Sequence, residues 1–184
     1  MIYDEQVLKR KDGVSFTVRS AEPDDADELR LFLKETAEET PFLSNEPEEA
    51  TLSENDAQRL SVVFAEADDK LMLTAETEGR LAAIGTLIPV RMKMRTKHRA
   101  TVSLIVRREF WDLGIGSGLL TILTGVAAAE GFTQVELEVC SANERARALY
   151  EKNGFQIYGT LDDAYRYRNG DSASCCLMVK YLHS

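Results

Sequence analysis

The chain has 184 residues, with 31 acidic against 22 basic side chains and a formal net charge of −9, a length that suits one domain, since single cores commonly run to about 100–200 residues. The negative balance repels phosphate backbones and anionic headgroups, so neither nucleic acid nor a membrane surface is an expected partner. Apolar residues make up 44% of the chain, which supplies a core and argues against a disordered polypeptide.

The cysteines Cys140, Cys175 and Cys176 are odd in number and the last two are adjacent, a pattern that fits a reducing compartment better than a disulfide framework. No run approaches the roughly 18 apolar residues of a membrane span, and the charged stretch from Met1 to Gly13 is not built like a signal peptide. The expected location is the cytoplasm. Residues 1–13 read as a charged N-terminal extension and residues 14–184 as a single domain.

Along the chain, residues 14–20 alternate apolar and polar side chains after Asp12-Gly13, the mark of a half-buried strand. Pro23 with Asp24 and Asp25 suits a helix start, and Leu29, Phe32, Leu33 and Ala37 form its apolar face to about residue 38. A loop over 39–49 precedes Ser53 and Asp56, an N-cap pair that opens a helix near 54–67. Residues 70–77 and 81–94 flank Glu78-Gly79-Arg80 and predict a hairpin, with Pro89 limiting the second strand.

The next strand, 98–107, carries Ala100, Val102, Leu104 and Val106 on one face and runs straight into a glycine-rich segment over 108–118. Leu119, Leu120, Leu123, Val126 and Ala127 follow at helical spacing and end at Glu130-Gly131. Residues 135–139 read as a strand. Asn143 then caps a helix whose face holds Ala146, Leu149 and Tyr150, closed by Asn153-Gly154. Residues 155–158 and 173–182 predict the last two strands, with Asn169-Gly170 as a hairpin signal.

The chemistry concentrates at the passage from strand through Trp111-Asp112-Leu113-Gly114-Ile115-Gly116-Ser117 into helix. Glycines let backbone amides approach a ligand closely, and a helix N-terminus supplies partial positive charge, so a pyrophosphate suits this place. A Walker loop would need Lys followed by Ser or Thr after its last glycine, and a dinucleotide fingerprint would need a small residue at position 119, which is Leu. What remains resembles the pyrophosphate loop of the GNAT superfamily of N-acetyltransferases: Gln or Arg, two variable residues, Gly, one variable residue, then Gly or Ala. Gly114 and Gly116 match that pattern, and Trp111 stands where Gln or Arg is usual. One strand later, Asn143, Ala146, Ala148-Leu149-Tyr150-Glu151-Lys152-Asn153-Gly154-Phe155 resembles the second block of the same superfamily.

This resemblance implies an α/β fold with a mixed central sheet of about seven strands, splayed near its middle, with helices on both faces. It implies acetyl-CoA as cosubstrate, no metal, and an amine of a small molecule or protein as acceptor. The pantetheine arm would lie between strands 98–107 and 133–139 and pair with backbone at Leu104, Ile105 and Val106. Asp112, Leu113, Gly114, Ile115, Gly116 and Ser117 would hold the pyrophosphate, and Asn143 would help fix the arm. Tyr150, in the Leu-Tyr pair, would be the acid that meets the leaving thiolate.

A base is also needed, and Glu136 and Glu138 share one face by period-two spacing; the resemblance favours Glu138, with Glu136 or water as alternatives. His98 sits in a basic turn, and neither it nor His183 has partners at metal-ligand spacing. Segments 38–54 and 161–174, with Phe42, Tyr165 and Tyr167, would shape the acceptor site. A catalytically silent acetyl-CoA sensor is the competing reading; the oligomeric state is left open, with a homodimer through the C-terminal strands as one hypothesis.

Overall fold

In a computed structural model that describes residues 1–90 and 93–182, the chain forms one sheet with helices on both faces. The strands are β1 (Gln6–Lys9), β2 (Ser15–Ser20), β3 (Leu71–Thr77), β4 (Arg80–Pro89), β5 (Arg99–Val106), β6 (Gln134–Cys140), β7 (Gln156–Arg166) and β8 (Ser172–Tyr181). The helices are α1 (Ala26–Glu39), α2 (Glu54–Glu66), α3 (Ile115–Ala129) and α4 (Glu144–Lys152). Sheet order is β1-β2-β3-β4-β5-β6-β8-β7, and β5 with β6 is the parallel pair in an otherwise antiparallel arrangement.

The sheet has eight strands where the sequence suggests about seven. The added one, β1, lies inside the stretch expected as an extension: Gln6 to Lys9 pair antiparallel with Val18 to Ser15. It is an edge strand, exposed along most of its length, so it lacks the buried alternating face by which strands are read from sequence. The second hairpin strand is described to Pro89, short of residue 94; Arg91 and Met92, like His183 and Ser184, lie outside the described residues.

Two apolar layers fix the sheet. On one face α3 contributes Ile115, Leu119, Leu120, Leu123 and Ala127 to a cluster with Phe16, Val18, Leu73, Val102, Leu137, Tyr150 and Phe155. On the other, Leu29 and Phe32 of α1 and Phe64 of α2 meet Met72, Leu81 and Ile84, and burial of each of these large side chains contributes roughly 1.5–3 kcal/mol. Side chains alternate along β5, so Leu104 and Val106 pack on the α3 side and Ile105 on the α1–α2 side. Among the described residues no helix is long and apolar enough to cross a membrane.

Candidate active site

Hydrogen-bond alternation decides what β5 offers to its neighbours. Val90 N–H donates to Arg99 C=O at 3.0 Å and Arg107 N–H to Ala82 C=O at 2.9 Å, so the odd-numbered residues of β5 bond to β4 and the even-numbered ones turn their N–H and C=O toward β6. The β5–β6 ladder runs only through Arg99↔Gln134, Ala100↔Val135 and Thr101↔Glu136. Beyond Thr101 the two strands part, and the backbone groups of Leu104 and Val106 face a gap. Ile105, expected to give backbone contacts there, instead directs its N–H and C=O to Ile84 of β4.

The opposite wall of the gap follows from the same argument. Ser141 N–H donates to Ser174 C=O at 2.8 Å, which assigns the odd residues of β6 to β8 and leaves Glu138 and Cys140 facing β5. The Cys140 carbonyl accepts the Asn143 N–H at 2.9 Å. Asn143 Oδ1 in turn accepts from Ala146 N–H at 3.1 Å as the N-cap of α4, so its carboxamide oxygen is committed to the helix and only its NH2 is free.

The glycine-rich loop closes one end of the gap. Asp112 and Gly114 both have left-handed backbone, with φ of 62° and 94°, and Gly114 is the N-cap of α3 with no side-chain cap. Gly118 N–H closes the first helical bond onto Gly114 C=O at 3.0 Å, so the N–H groups of Ile115, Gly116 and Ser117 in the first turn have no helical partner. The glycines serve different ends. A Cβ on Gly114 would meet the Lys11 stem at an ordinary 3.5 Å, so that glycine is required by its φ. A Cβ on Gly116 would lie 3.2 Å from Leu104 Cδ2 and 3.3 Å from Leu149 Cδ2, where α3, β5 and α4 converge. Ser117 Oγ bonds the Asn153 carboxamide at 3.2 Å and ties α3 to the end of α4.

Tyr150 is 7% exposed and packs edge-to-face on Phe155 at 5.9 Å. Burial pushes its hydroxyl up to about 12, and no charge or hydrogen bond contributes to that shift. The two candidate bases differ sharply. Glu136 is buried and bound bidentately by Arg99, at 2.5 Å from Nε and 2.7 Å from Nη2. Glu138 is exposed, on the α1–α2 side of the sheet, with Oε2 4.0 Å from Cys175 Sγ. Desolvation raises the Cys175 thiol, and the Glu138 charge adds to the effect.

On that same side lies a cavity of about 520 Å³, lined by the end of α1 and the following loop, including Glu38, Glu39 and Glu46, by Arg108, and by Tyr165 and Tyr167 of the β7–β8 hairpin. These are two of the three aromatic residues expected there; Phe42 does not line it. The strand expected over 155–158 runs on as far as Arg166, broken by register shifts at Ile157/Gly159 and Leu161/Tyr165. Tyr167 OH lies 3.7 Å from Cys140 Sγ, and burial is the main cause that pushes Tyr167 up to about 12. Arg168 bridges to Glu48 at 2.8 Å and Glu46 at 3.6 Å, joining the hairpin to the α1–α2 loop.

Three residues around the loop do work that the sequence reading misses. Arg107, buried over Phe32 at 5.0 Å, donates Nε to Leu81 C=O at 2.7 Å and pairs with Glu35 of α1, and Glu39 accepts the Arg108 N–H at 2.6 Å. One turn of α1 thus grips the end of β5. Trp111 Nε1 donates to Val106 C=O at 2.7 Å, and its ring lies under Arg145 at 4.4 Å and Arg108 at 5.6 Å. A tryptophan inside a glycine-rich loop and an arginine two residues past an N-cap are the signals by which Trp111 and Arg145 could have been found; Arg107 leaves no such signal.

These features agree with what the chain is similar to. The sequence profile of the Acetyltransferase (GNAT) family matches residues 30–155. No curated protein matches the chain in sequence. A GNAT-family acetyltransferase from Streptococcus pneumoniae superposes with a TM-score of 0.85 at 28% identity, over 91% of this chain and 99% of that one. A ribosomal-protein-alanine N-acetyltransferase from Brucella melitensis shares the fold at a TM-score of 0.79 and 23% identity, over 90% and 99% of the two chains. The yncA protein of Salmonella typhimurium, solved with its cofactor acetyl-CoA, does so at 0.80 and 16%, over 92% and 95%. A family profile that covers most of the chain, on a sheet that opens beside an uncapped glycine-rich helix start, identifies this protein as an acyltransferase of the GNAT family, whose members bind acetyl-CoA.

Proposed function

We propose that the protein transfers an acetyl group from acetyl-CoA to a primary amine of a small molecule or protein, with the pantetheine arm in the gap between β5 and β6. The observation that carries this reading is the opening of the sheet beyond Thr101, which leaves the N–H and C=O of Leu104, the N–H of Val106 and the backbone of Glu138 directed into one slot, as an added strand would require. The pyrophosphate then meets residues 112–117, where the N–H groups of Ile115, Gly116 and Ser117 lack helical partners. The Asn143 NH2 donates to the arm.

In the reaction, the amine nitrogen attacks the thioester carbonyl, a C–N bond forms, the C–S bond breaks, and the amine proton leaves. Glu138 is the residue that accepts this proton, directly or through water, because the Arg99 pair withdraws Glu136 from the role. Tyr150 is the acid at the sulfur. A hydroxyl held at about 12 is fully protonated at neutral pH, yet full transfer to a thiolate of ordinary basicity, about 8.5, runs uphill. Its main contribution is therefore the hydrogen bond it gives as charge grows on sulfur.

The acceptor enters through the cavity lined by Glu38, Glu39, Tyr165 and Tyr167, on the face that carries Glu138. Residues 14–184 act as one domain to which β1 adds an edge strand, and three free thiols fit a cytoplasmic location. A homodimer through the C-terminal strands would cover Tyr158 and Leu161, both exposed on β7; sedimentation that shows only monomer overturns it. Calorimetric titration with acetyl-CoA, followed by thiol release against a panel of amines, tests the function. Binding with amine-dependent release is expected. Binding without release across the panel favours a sensor, and absence of binding removes the reading.

A further inference from the structure

Although the chain carries a net charge of −9, cations border the loop that opens α3. Arg108 and Arg145 both lie over Trp111, and the Lys11 stem lies against Gly114. Arg145 is the best placed of them. It projects from the first turn of α4, its guanidinium sits 4.4 Å from the Trp111 ring centroid, and its Nη1 reaches Asp112 Oδ2 at 2.5 Å.

Both members of this pair are open to solvent, with side-chain exposures of 47% for Arg145 and 71% for Asp112. An exposed pair of this kind adds little to stability. Asp112 moreover holds its carboxylate there from a left-handed backbone, φ 62°, which L-residues adopt at a cost. The guanidinium rests over the Trp111 ring and a single N–H is bonded, so the fork keeps donors for a second anion.

We infer that Arg145 is a phosphate ligand of the acyl donor, and that Asp112 holds its guanidinium as an internal stand-in which the pyrophosphate displaces. The inference rests on the proposed seating of the donor at residues 112–117. Trp111 serves as the platform: its indole N–H is anchored on Val106 C=O, which joins the floor of the pantetheine slot to the cation at its mouth. The pyrophosphate is the group concerned, because Arg145 bonds Asp112, within the segment 112–117 proposed to seat it.

The test is calorimetric titration of acetyl-CoA into wild type, Arg145→Gln and Asp112→Asn, with emission of Trp111, the single tryptophan, as a second readout. Asparagine tolerates left-handed backbone, so the second variant keeps the loop. Arg145→Gln should weaken binding about tenfold or more, and Asp112→Asn should tighten it by about threefold through loss of the competing carboxylate. Binding of acetyl-dephospho-CoA, which lacks the 3′-phosphate, should weaken by the same factor in Arg145→Gln, whereas acetyl-pantetheine, which has neither phosphate group, should be indifferent to both substitutions.

Equal acetyl-CoA affinity in wild type and Arg145→Gln overturns the inference while leaving the acetyltransferase reading intact. A wild type that binds no acetyl-CoA overturns that reading itself. A factor that vanishes with acetyl-dephospho-CoA refutes the pyrophosphate assignment, and weaker binding in Asp112→Asn refutes the displacement.

Discussion

Replacement of Tyr150 by Phe separates catalysis from folding at one atom. The ring stays, with its 5.9 Å edge-to-face contact to Phe155, and only a hydroxyl whose shift owes nothing to hydrogen bonding is lost. Stability at neutral pH should therefore change by less than about 1 kcal/mol. Turnover should fall by about 10- to 1000-fold, equivalent to about 1.4–4 kcal/mol of transition-state stabilisation, with the acetyl-CoA Kd unchanged. At high pH the sign reverses in favour of the variant. The hydroxyl is held at about 12 in the fold against about 10 in the unfolded chain, so the unfolded state loses its proton first and the contribution disappears as pH rises from 10 to 12. Stopped-flow thiol release at saturating amine, paired with thermal unfolding at pH 7 and pH 11, measures both effects. Unchanged turnover with wild-type acetyl-CoA affinity would refute the role given to Tyr150.

Gly114→Ala meets no clash at 3.5 Å from Lys11 but must hold φ 94°, a strain of about 1–2 kcal/mol that lowers Tm by roughly 2–8 °C in a chain of this size; differential scanning calorimetry checks it. Glu136→Gln should lower Tm and spare turnover, because it breaks the Arg99 pair, whereas Glu138→Gln should spare Tm and reduce turnover at least about tenfold. The opposite pattern in paired melts and rate assays would move the base to Glu136. Arg168→Ala, which releases the hairpin from Glu46 and Glu48, should leave Tm nearly unchanged and raise KM for the amine but not for acetyl-CoA.

What the sequence made legible was local. The cap at Asn143, the Ser53–Asp56 pair, the Glu78-Gly79 turn and the run from β5 through the loop into α3 depend on neighbours within a few residues, and each appears where expected. Edge strands were harder, because β1 and β7 are exposed along most of their residues; β7 also hides behind Gly159, Asp162 and Asp163, which have low strand propensity. Backbone direction was not legible at all. Whether Leu104 or Ile105 faces the gap depends on the register with β4, and a one-residue slip would exchange them. Nor did period-two spacing separate Glu136 from Glu138, since the partner that does so, Arg99, lies 37 residues away on another strand.

Hydrogen–deuterium exchange with and without acetyl-CoA reads the proposed seat of the thioester most directly. The account predicts that acetyl-CoA slows exchange at the amides of Leu104, Val106 and Glu138 and in the first turn of α3, while the Ile105 amide, bonded to β4, is already slow and changes little. Protection confined to other elements, or none in β5 and β6 at saturating acetyl-CoA, would contradict it.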